Sequence, residues 1–383
     1  MRKIMVCVVV LGLLLSVSAA CAQQPKAKPT IKIGYLAPLT GDWAFEGQEG
    51  IKKPLEMLVE QVNKQGGLLG GRQIELISAD DQSDAKQAAL AAQKLITAGA
   101  KIVIGSYAST CTEPASQLFN DAGILHITPI STATRLTEKG YKRFFRTCVT
   151  DDKQGLFAAE FISKTLGKKR VAIIHDNTTY AKGLADWSKK YMEDAGLEVV
   201  FFDAITPKEK DYTAVLTRLK AAKPEVWYFT GYYPEAALLV RQAADVGLDA
   251  QMMVGNAVNN PEFVKMAGIE FAKRVIITTE PMPKDLPWPE ARKFLEDYKA
   301  RYGEYPRSVW APFTADAFRV IVEAINRTNS DDPAKLAEYL HNELKDFPGI
   351  SGLIPGFDEK GDRKGTIHMA YTVNDQGEFV LWK

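Results

Sequence analysis

Residues 102–119, IVIGSYASTCTEPASQLF, begin as a strand and end as a helix. Ile102, Val103 and Ile104 are β-favouring apolar residues that stop at Gly105. The helix is expected to start near Glu113-Pro114, because proline's missing N–H is no loss in a first helical turn. Between the two lies a turn of small hydroxyl residues, Ser106, Ser109, Thr110 and Thr112, with Cys111 among them. Free N–H groups and hydroxyls in such a turn converge where an anion can sit. A strand handed to a helix through a polar turn is the unit of an α/β fold.

The chain repeats that unit on both sides. IKIGYLAP (31–38) leads to a helix in KKPLEMLVEQVNKQGG, where Leu55, Leu58, Val59 and Val62 fall at i, i+3, i+4, i+7. RQIELISADD (72–81) precedes a helix built on Ala88, Ala92, Leu95 and Ile96, and GILHITPIS (123–131) follows the opening stretch. A second series runs from the helix GLFAAEFISKTLG through the strands RVAIIHD, LEVVFFDAI, EVWYFTGYY and QMMVGN, with helices between them. Two such runs imply two doubly wound α/β lobes with mostly parallel sheets. After Thr279 comes a Pro-rich segment, TTEPMPKDLPWPEA, then helices to about Leu344. The tail GTIHMAYTVNDQGEFVLWK alternates as a hairpin with Asp375-Gln376-Gly377 near its turn. The late helices need a sheet to cover and the first lobe is the shorter of strands, so the chain is expected to cross between lobes more than once.

Of the 383 residues, 46% are hydrophobic, which places the chain among folded globular proteins. Lys and Arg number 48 against 47 Asp and Glu, and no basic cluster stands out, so neither nucleic acid nor an anionic membrane is an expected partner. Residues 1–22 read as an export signal: a basic start, an apolar run from Ile4 to Leu15, then small residues. Ala20 and Ala22 form an A-x-A cleavage site, while SAAC resembles a bacterial lipobox that would lipidate Cys21. Both readings place the protein in the periplasm or on the extracytoplasmic face of the membrane. Residues 23–30 read as a polar tether. Two cysteines then remain, Cys111 and Cys148, either as one disulfide or as two separate buried thiols.

In an open α/β sheet the functional crevice lies beyond the C-terminal strand ends. Four such ends carry polar groups: Ser106–Thr112, Ser131-Thr132, His175–Tyr180 and Tyr232-Tyr233. No G-x-G-x-x-G follows a strand, no phosphate loop or G-x-S-x-G elbow occurs, and the four histidines form no H-E-x-x-H. KQGGLLGGR follows a helix and reads as a helix stop. His175 beside Asp176 reads as a hydrogen-bonded strand-end histidine, since no nucleophile accompanies it. No enzyme, cofactor or metal is expected.

From about Ile31 to its end the chain resembles the periplasmic binding proteins for branched-chain amino acids, the receptors of ATP-driven (ABC) importers. The segments NKQGGLLGGRQIEL, TEPASQLFNDAGILHITPISTATRLTEKGY, VAIIHDNTTYAKGLA, YFTGYYPEAALLVRQAADVGL and GFDEKGDRKG carry the resemblance, in that order. It implies a type I periplasmic binding protein fold, two lobes joined by three hinge crossovers and closing on a ligand. Residues 31–150 with about 282–357 would form one lobe, and 151–281 with about 358–383 the other. The family's carboxylate-binding serine falls on Ser109, its loop carbonyl and threonine on Ile130 and Thr132, and its two covering tyrosines on Tyr180 and Tyr232. The resemblance further implies a monomer that delivers a small amino acid, branched-chain by default, to importer membrane subunits.

Three departures bear on the ligand. Where leucine receptors of the family place a glutamate for the α-ammonium, this chain has Asn256, a neutral amide. Glu46 and Glu280 are the acids that could replace it, although a solvated surface position is the default for either. Otherwise the ligand is an aromatic or aliphatic carboxylate, or an amide, without an α-ammonium. The first loop is shifted, with Glu46 at the family's aromatic position and Trp43 and Phe45 nearby, and Ser308 falls where another pocket aromatic is expected. Thr110 and Ser131 complete the candidate lining. The family's disulfide positions fall on Ser83 and Ala108, so a Cys111–Cys148 bridge would be particular to this chain. A ligand-sensing module of a regulatory system is the remaining alternative.

Overall fold

A computed structural model describes residues 28–383. The export signal, Cys21 and most of the tether lie outside the described residues. The first sheet contains β1 (Ile31–Ala37), β2 (Ile74–Asp80), β3 (Ile102–Gly105), β4 (Leu125–Thr128) and β5 (Phe144–Arg146), in the order β2-β1-β3-β4-β5. All its pairs are parallel. Helices α1 (Lys53–Lys64), α2 (Ala85–Thr97) and α3 (Ser109–Asp121) connect successive strands, and a wide-turned helical segment, Glu46–Lys52, runs straight into α1. β3 and β4 are buried along their whole length, as strands covered by helices on both faces must be.

After α4 (Asp151–Glu160) the second sheet begins: β6 (Arg170–His175), β7 (Glu198–Ala204), β8 (Val226–Phe229), β9 (Gln251–Val254) and β10 (Val275–Thr279). Between them lie α5 (Thr179–Asp194), α6 (Thr213–Ala221), α7 (Tyr233–Asp245), α8 (Pro261–Ala267) and the short α9 (Ile269–Ala272). The chain then returns to the first sheet. α10 (Pro289–Tyr302), α11 (Ala311–Thr328) and α12 (Pro333–Asn342) follow, with α11 against α1, β3 and β4, and α12 against β4. A small pair, β11 (Phe347–Pro348) and β12 (Leu353–Ile354), precedes a last crossing to β13 (Met369–Val373) and β14 (Phe379–Leu381). This terminal hairpin adds antiparallel to β10, giving the order β14-β13-β10-β9-β8-β6-β7. The arrangement is the expected one of two doubly wound lobes, with the chain passing between sheets after β5, after β10 and after β12.

One boundary differs from expectation. α3 starts at Ser109, not near Glu113-Pro114: Ala108 is extended (φ −82°, ψ 133°) and the chain turns helical directly after it. Pro114 therefore sits more than a turn inside, where it removes only the bond to the Thr110 carbonyl. The consequence is functional, because the free N–H groups of the helix start now belong to the hydroxyl cluster. The strand before it does end at Gly105, whose φ of +125° and a Leu36 oxygen 1.9 Å from any added Cβ leave room for glycine alone.

The lobes touch across their strand ends. Trp43 stacks on Tyr232 with ring centroids 4.4 Å apart. The Tyr233 hydroxyl donates to the Asp42 carbonyl at 2.6 Å, and the Thr179 N–H to Thr110 Oγ1 at 3.1 Å. Two buried arginines brace the crossings. Arg146 pairs with Asp362 at 2.5 Å, and Arg363 donates to the Thr147 carbonyl and Ser351 Oγ at 3.1 and 2.7 Å.

Candidate functional site

Where the strand ends of the two lobes meet they line a small cavity. Its lining includes Ser109 and Tyr107 from the turn after β3, Ile130 and Thr132 from the loop after β4, Tyr180 from α5, Tyr232 before α7, and Asn256 and Ala257 after β9, with Trp310 at one side. The six residues that family resemblance nominates thus share one small space. Larger clefts elsewhere, such as the groove along Leu58, Val62, Phe294 and Phe318, lie away from the strand ends.

The anion side is built by hydroxyls that hold one another. Thr112 Oγ1 accepts from the Ser106 N–H at 3.1 Å and meets Ser131 Oγ at 2.6 Å, while Ser131 Oγ donates to the Ser106 and Tyr107 carbonyls. Ser131 is therefore a brace for the turn, not a lining group. The Cys111 and Thr112 N–H groups reach back to the Ala108 carbonyl, which leaves the Ser109 and Thr110 N–H groups at the helix start. Ser109 Oγ, buried, accepts from the Ala133 N–H at 3.3 Å and keeps its own proton for another acceptor. Arg146 fixes the facing loop, donating to the carbonyls on either side of Thr132: Ser131 at 2.9 Å and Ala133 at 3.1 Å.

The second lobe presents an amide with two partners. Asn256 Oδ1 accepts from the Tyr180 hydroxyl at 2.9 Å, and Asn256 Nδ2 donates to Glu280 Oε1 at 3.2 Å. Gly255 makes the first contact feasible, since a Cβ there would come within 2.4 Å of that hydroxyl. Glu280 is fully buried, contrary to the surface position expected for it, and burial pushes its carboxyl up to about 7 against its hydrogen bonds. His368 Nε2 lies 3.7 Å away, but burial holds that imidazole neutral with a value of about 3, so the contact is no ion pair.

Sequence reasoning missed Asp151, at the start of α4. It is fully buried, neither oxygen has a well-oriented hydrogen-bond donor among the described residues, and it lies beside the Thr132 hydroxyl. Burial pushes it up to about 7, with Glu280 and Asp152 reinforcing the shift and Thr132 and Arg146 opposing it. The signal was the acidic pair Asp151-Asp152 a few residues after a strand end, which reads equally well as helix-start acids. Tyr107 and Trp310 were also missed, for want of a charge or spacing to mark them.

The remaining nominees divide. Glu46 is buried too, and sits on the lobe boundary: Oε1 accepts from Asn260 Nδ2 at 2.6 Å and Oε2 from Ser308 Oγ at 2.5 Å. Burial pushes it up to about 7. Ser308 thus serves Glu46. Trp43 covers Tyr232. Phe45 turns outward beneath the Arg307 guanidinium, 5.4 Å from its ring centre. Thr110 joins the lobes at the cleft rim. Cys111 and Cys148 are free buried thiols, not a disulfide, and Cys148 Sγ instead lies 3.5 Å from the Ser131 carbonyl. His175 Nδ1 accepts from the Asn177 N–H at 3.1 Å, the satisfied strand-end histidine expected. Among the described residues no cluster of His, Cys, Asp and Glu could hold a metal ion, and no helix is long and apolar enough to cross a membrane.

Comparison with known proteins places this architecture. A sequence model of the periplasmic binding protein family matches residues 30–376. A leucine-, isoleucine-, valine-, threonine- and alanine-binding protein of Pseudomonas aeruginosa is 37% identical over 353 residues, 92% of each chain. The crystal structure of a leucine-binding protein from Thermotoga maritima superposes with a TM-score of 0.85 at 30% identity, over 92% of this chain and 98% of the other. A branched-chain amino acid transporter substrate-binding protein from Streptococcus pneumoniae, solved with isoleucine, gives 0.81 at 28% identity, over 91% and 97%.

Proposed function

The chain belongs to the periplasmic binding protein family, and on that premise we propose that it is an extracytoplasmic, non-catalytic receptor that closes on a small α-amino acid and presents it to the membrane subunits of an ABC importer. The observation that carries this reading is the pairing of opposite chemistries around one small cavity. Hydroxyl and N–H donors at the start of α3 stand on one side, and Asn256 backed by Glu280 on the other. A carboxylate would accept from Ser109 Oγ, the helix-start N–H groups and the Thr132 N–H, favoured further by the helix dipole.

An α-ammonium would donate to the Ile130 carbonyl, the Thr132 hydroxyl and Asn256 Oδ1. That amide oxygen already accepts from Tyr180 and has a second lone pair free. Glu280 supplies the charge that the amide lacks: ionised, it draws on Nδ2 and polarises the carbonyl end toward the cation, an effect strong in a dry site. Asp151, beside Thr132, adds a second buried carboxyl to the same field. Tyr180 and Tyr232 would cover the ligand, and Trp43 would close over Tyr232.

The reading of an acid or amide receptor without an α-ammonium loses its main support, since one buried carboxyl, Glu280, stands behind Asn256 and a second, Asp151, beside Thr132. Neither would remain unpaired in a site made for an anion alone. Calorimetric titration of protein stripped by unfolding and refolding, with amino acids and their deaminated analogues, tests the proposal.

A further inference from the structure

Tyr107 lines the cavity two residues before Ser109, and only 3% of it is exposed. Its hydroxyl has no hydrogen-bond partner among the described residues. Its ring packs 6.1 Å from Trp43 and 5.9 Å from Tyr232, so the aromatic part is covered while the polar tip is left over. Burial, with the Glu46 carboxyl as a lesser contributor, holds the Tyr107 hydroxyl far above its ordinary pKa. Glu46, in turn, is tied to Ser308 and Asn260. This polar group is separate from the Asn256–Glu280–Asp151 group assigned to the α-ammonium, and Ser109 serves the carboxylate. What remains for Tyr107 is the ligand's side chain.

We propose that the side-chain end of the cleft selects an amino-acid side chain carrying a hydroxyl or amide, through the Tyr107 hydroxyl, over the apolar side chain of the same shape. The inference rests on the amino-acid receptor reading above and names the ligand class within it. A buried hydroxyl without a partner penalises every ligand that cannot pair with it, and this is the asymmetry by which polar sites reject apolar isosteres strongly while apolar sites reject polar ones weakly.

The test uses isosteric pairs: threonine against valine, and asparagine against leucine, each titrated calorimetrically into stripped, refolded protein. The expected result is at least tenfold tighter binding of threonine than valine, with the same sign for asparagine over leucine. Valine or leucine binding as tightly as its polar partner overturns the inference and leaves the receptor reading intact. Silence from all four amino acids overturns both. Tyr107→Phe keeps the ring and deletes only the hydroxyl. The threonine-to-valine ratio is expected to fall toward one, and an unchanged ratio would remove Tyr107 from the role.

Discussion

Asn256 donates through Nδ2 to Glu280 Oε1 at 3.2 Å, so the neutral amide that faces the cleft stands in front of a buried carboxyl. A charge displaced by one residue can still neutralise an ammonium where water is excluded, because the interaction falls only with distance and dielectric. Glu280→Gln keeps the shape and removes the charge. The expected loss of amino-acid affinity is about 2–5 kcal/mol, a thirtyfold or greater rise in Kd, with the deaminated analogue little affected. Asp151→Asn is the companion measurement. If it alone produces that loss, the charge partner is Asp151 and the relay through Asn256 is wrong.

Binding should depend on pH in a direction the buried acids fix. Glu280 and Asp151 are each pushed up to about 7 by burial. An ammonium binds their ionised forms, so Kd should rise as pH falls through 7 toward 5.5. Near pH 7 each binding event should release protons, read as a dependence of the calorimetric enthalpy on the buffer's own ionisation heat. The ligand-free protein should show the opposite trend. Its native state holds protons that the unfolded chain, with carboxyls near their ordinary 4 to 4.5, has already lost. Stability is therefore greatest below the unfolded values and declines as pH rises toward 7. Flat affinity between pH 8 and 5.5 would contradict the assignment.

Ser109 Oγ is placed to donate to a ligand carboxylate, and hydrogen bonds to charged groups contribute about 1.5–3 kcal/mol. Ser109→Ala should raise Kd roughly 10- to 100-fold for amino acids and deaminated acids alike, in contrast to Glu280→Gln. The Ala133 N–H loses its acceptor, so a small drop in melting temperature is expected as well. Equal affinity in wild type and variant would move the carboxylate elsewhere in the cleft.

The thiols provide a check independent of any ligand. Protein beginning at residue 28 and kept free of reductant should titrate two thiols in denaturant and none while native, because Cys111 and Cys148 are both buried and free. Recovery of no thiol after unfolding would establish a bridge and require the turn after β3 to be rebuilt.

Much of this was legible in the chain itself. Strand-to-helix alternation gave both lobes, and the terminal hairpin was visible from its period-two pattern around Asp375-Gln376-Gly377. What sequence could not supply was depth. Glu46 and Glu280 look like surface acids in a linear reading, yet both are buried, Glu46 against Asn260 of the other lobe and Glu280 behind Asn256. The start of α3 was misjudged because Pro114 is a common first-turn residue, whereas the extended backbone at Ala108 turns the chain helical sooner. Tyr107 carried no mark at all, since one more aromatic after an apolar strand looks like core until its hydroxyl is seen to lack a partner.

The central claim, that the cleft recognises an α-amino acid with a charge supplied from behind Asn256, is tested most directly by calorimetric titration of stripped, refolded protein. The titrants are threonine, valine and leucine, each beside the acid that lacks its amino group. The account predicts saturable binding of at least one amino acid, and binding of its deaminated partner weaker by a factor of thirty or more. Equal or tighter binding of the deaminated acids, or no binding by any amino acid, would contradict it.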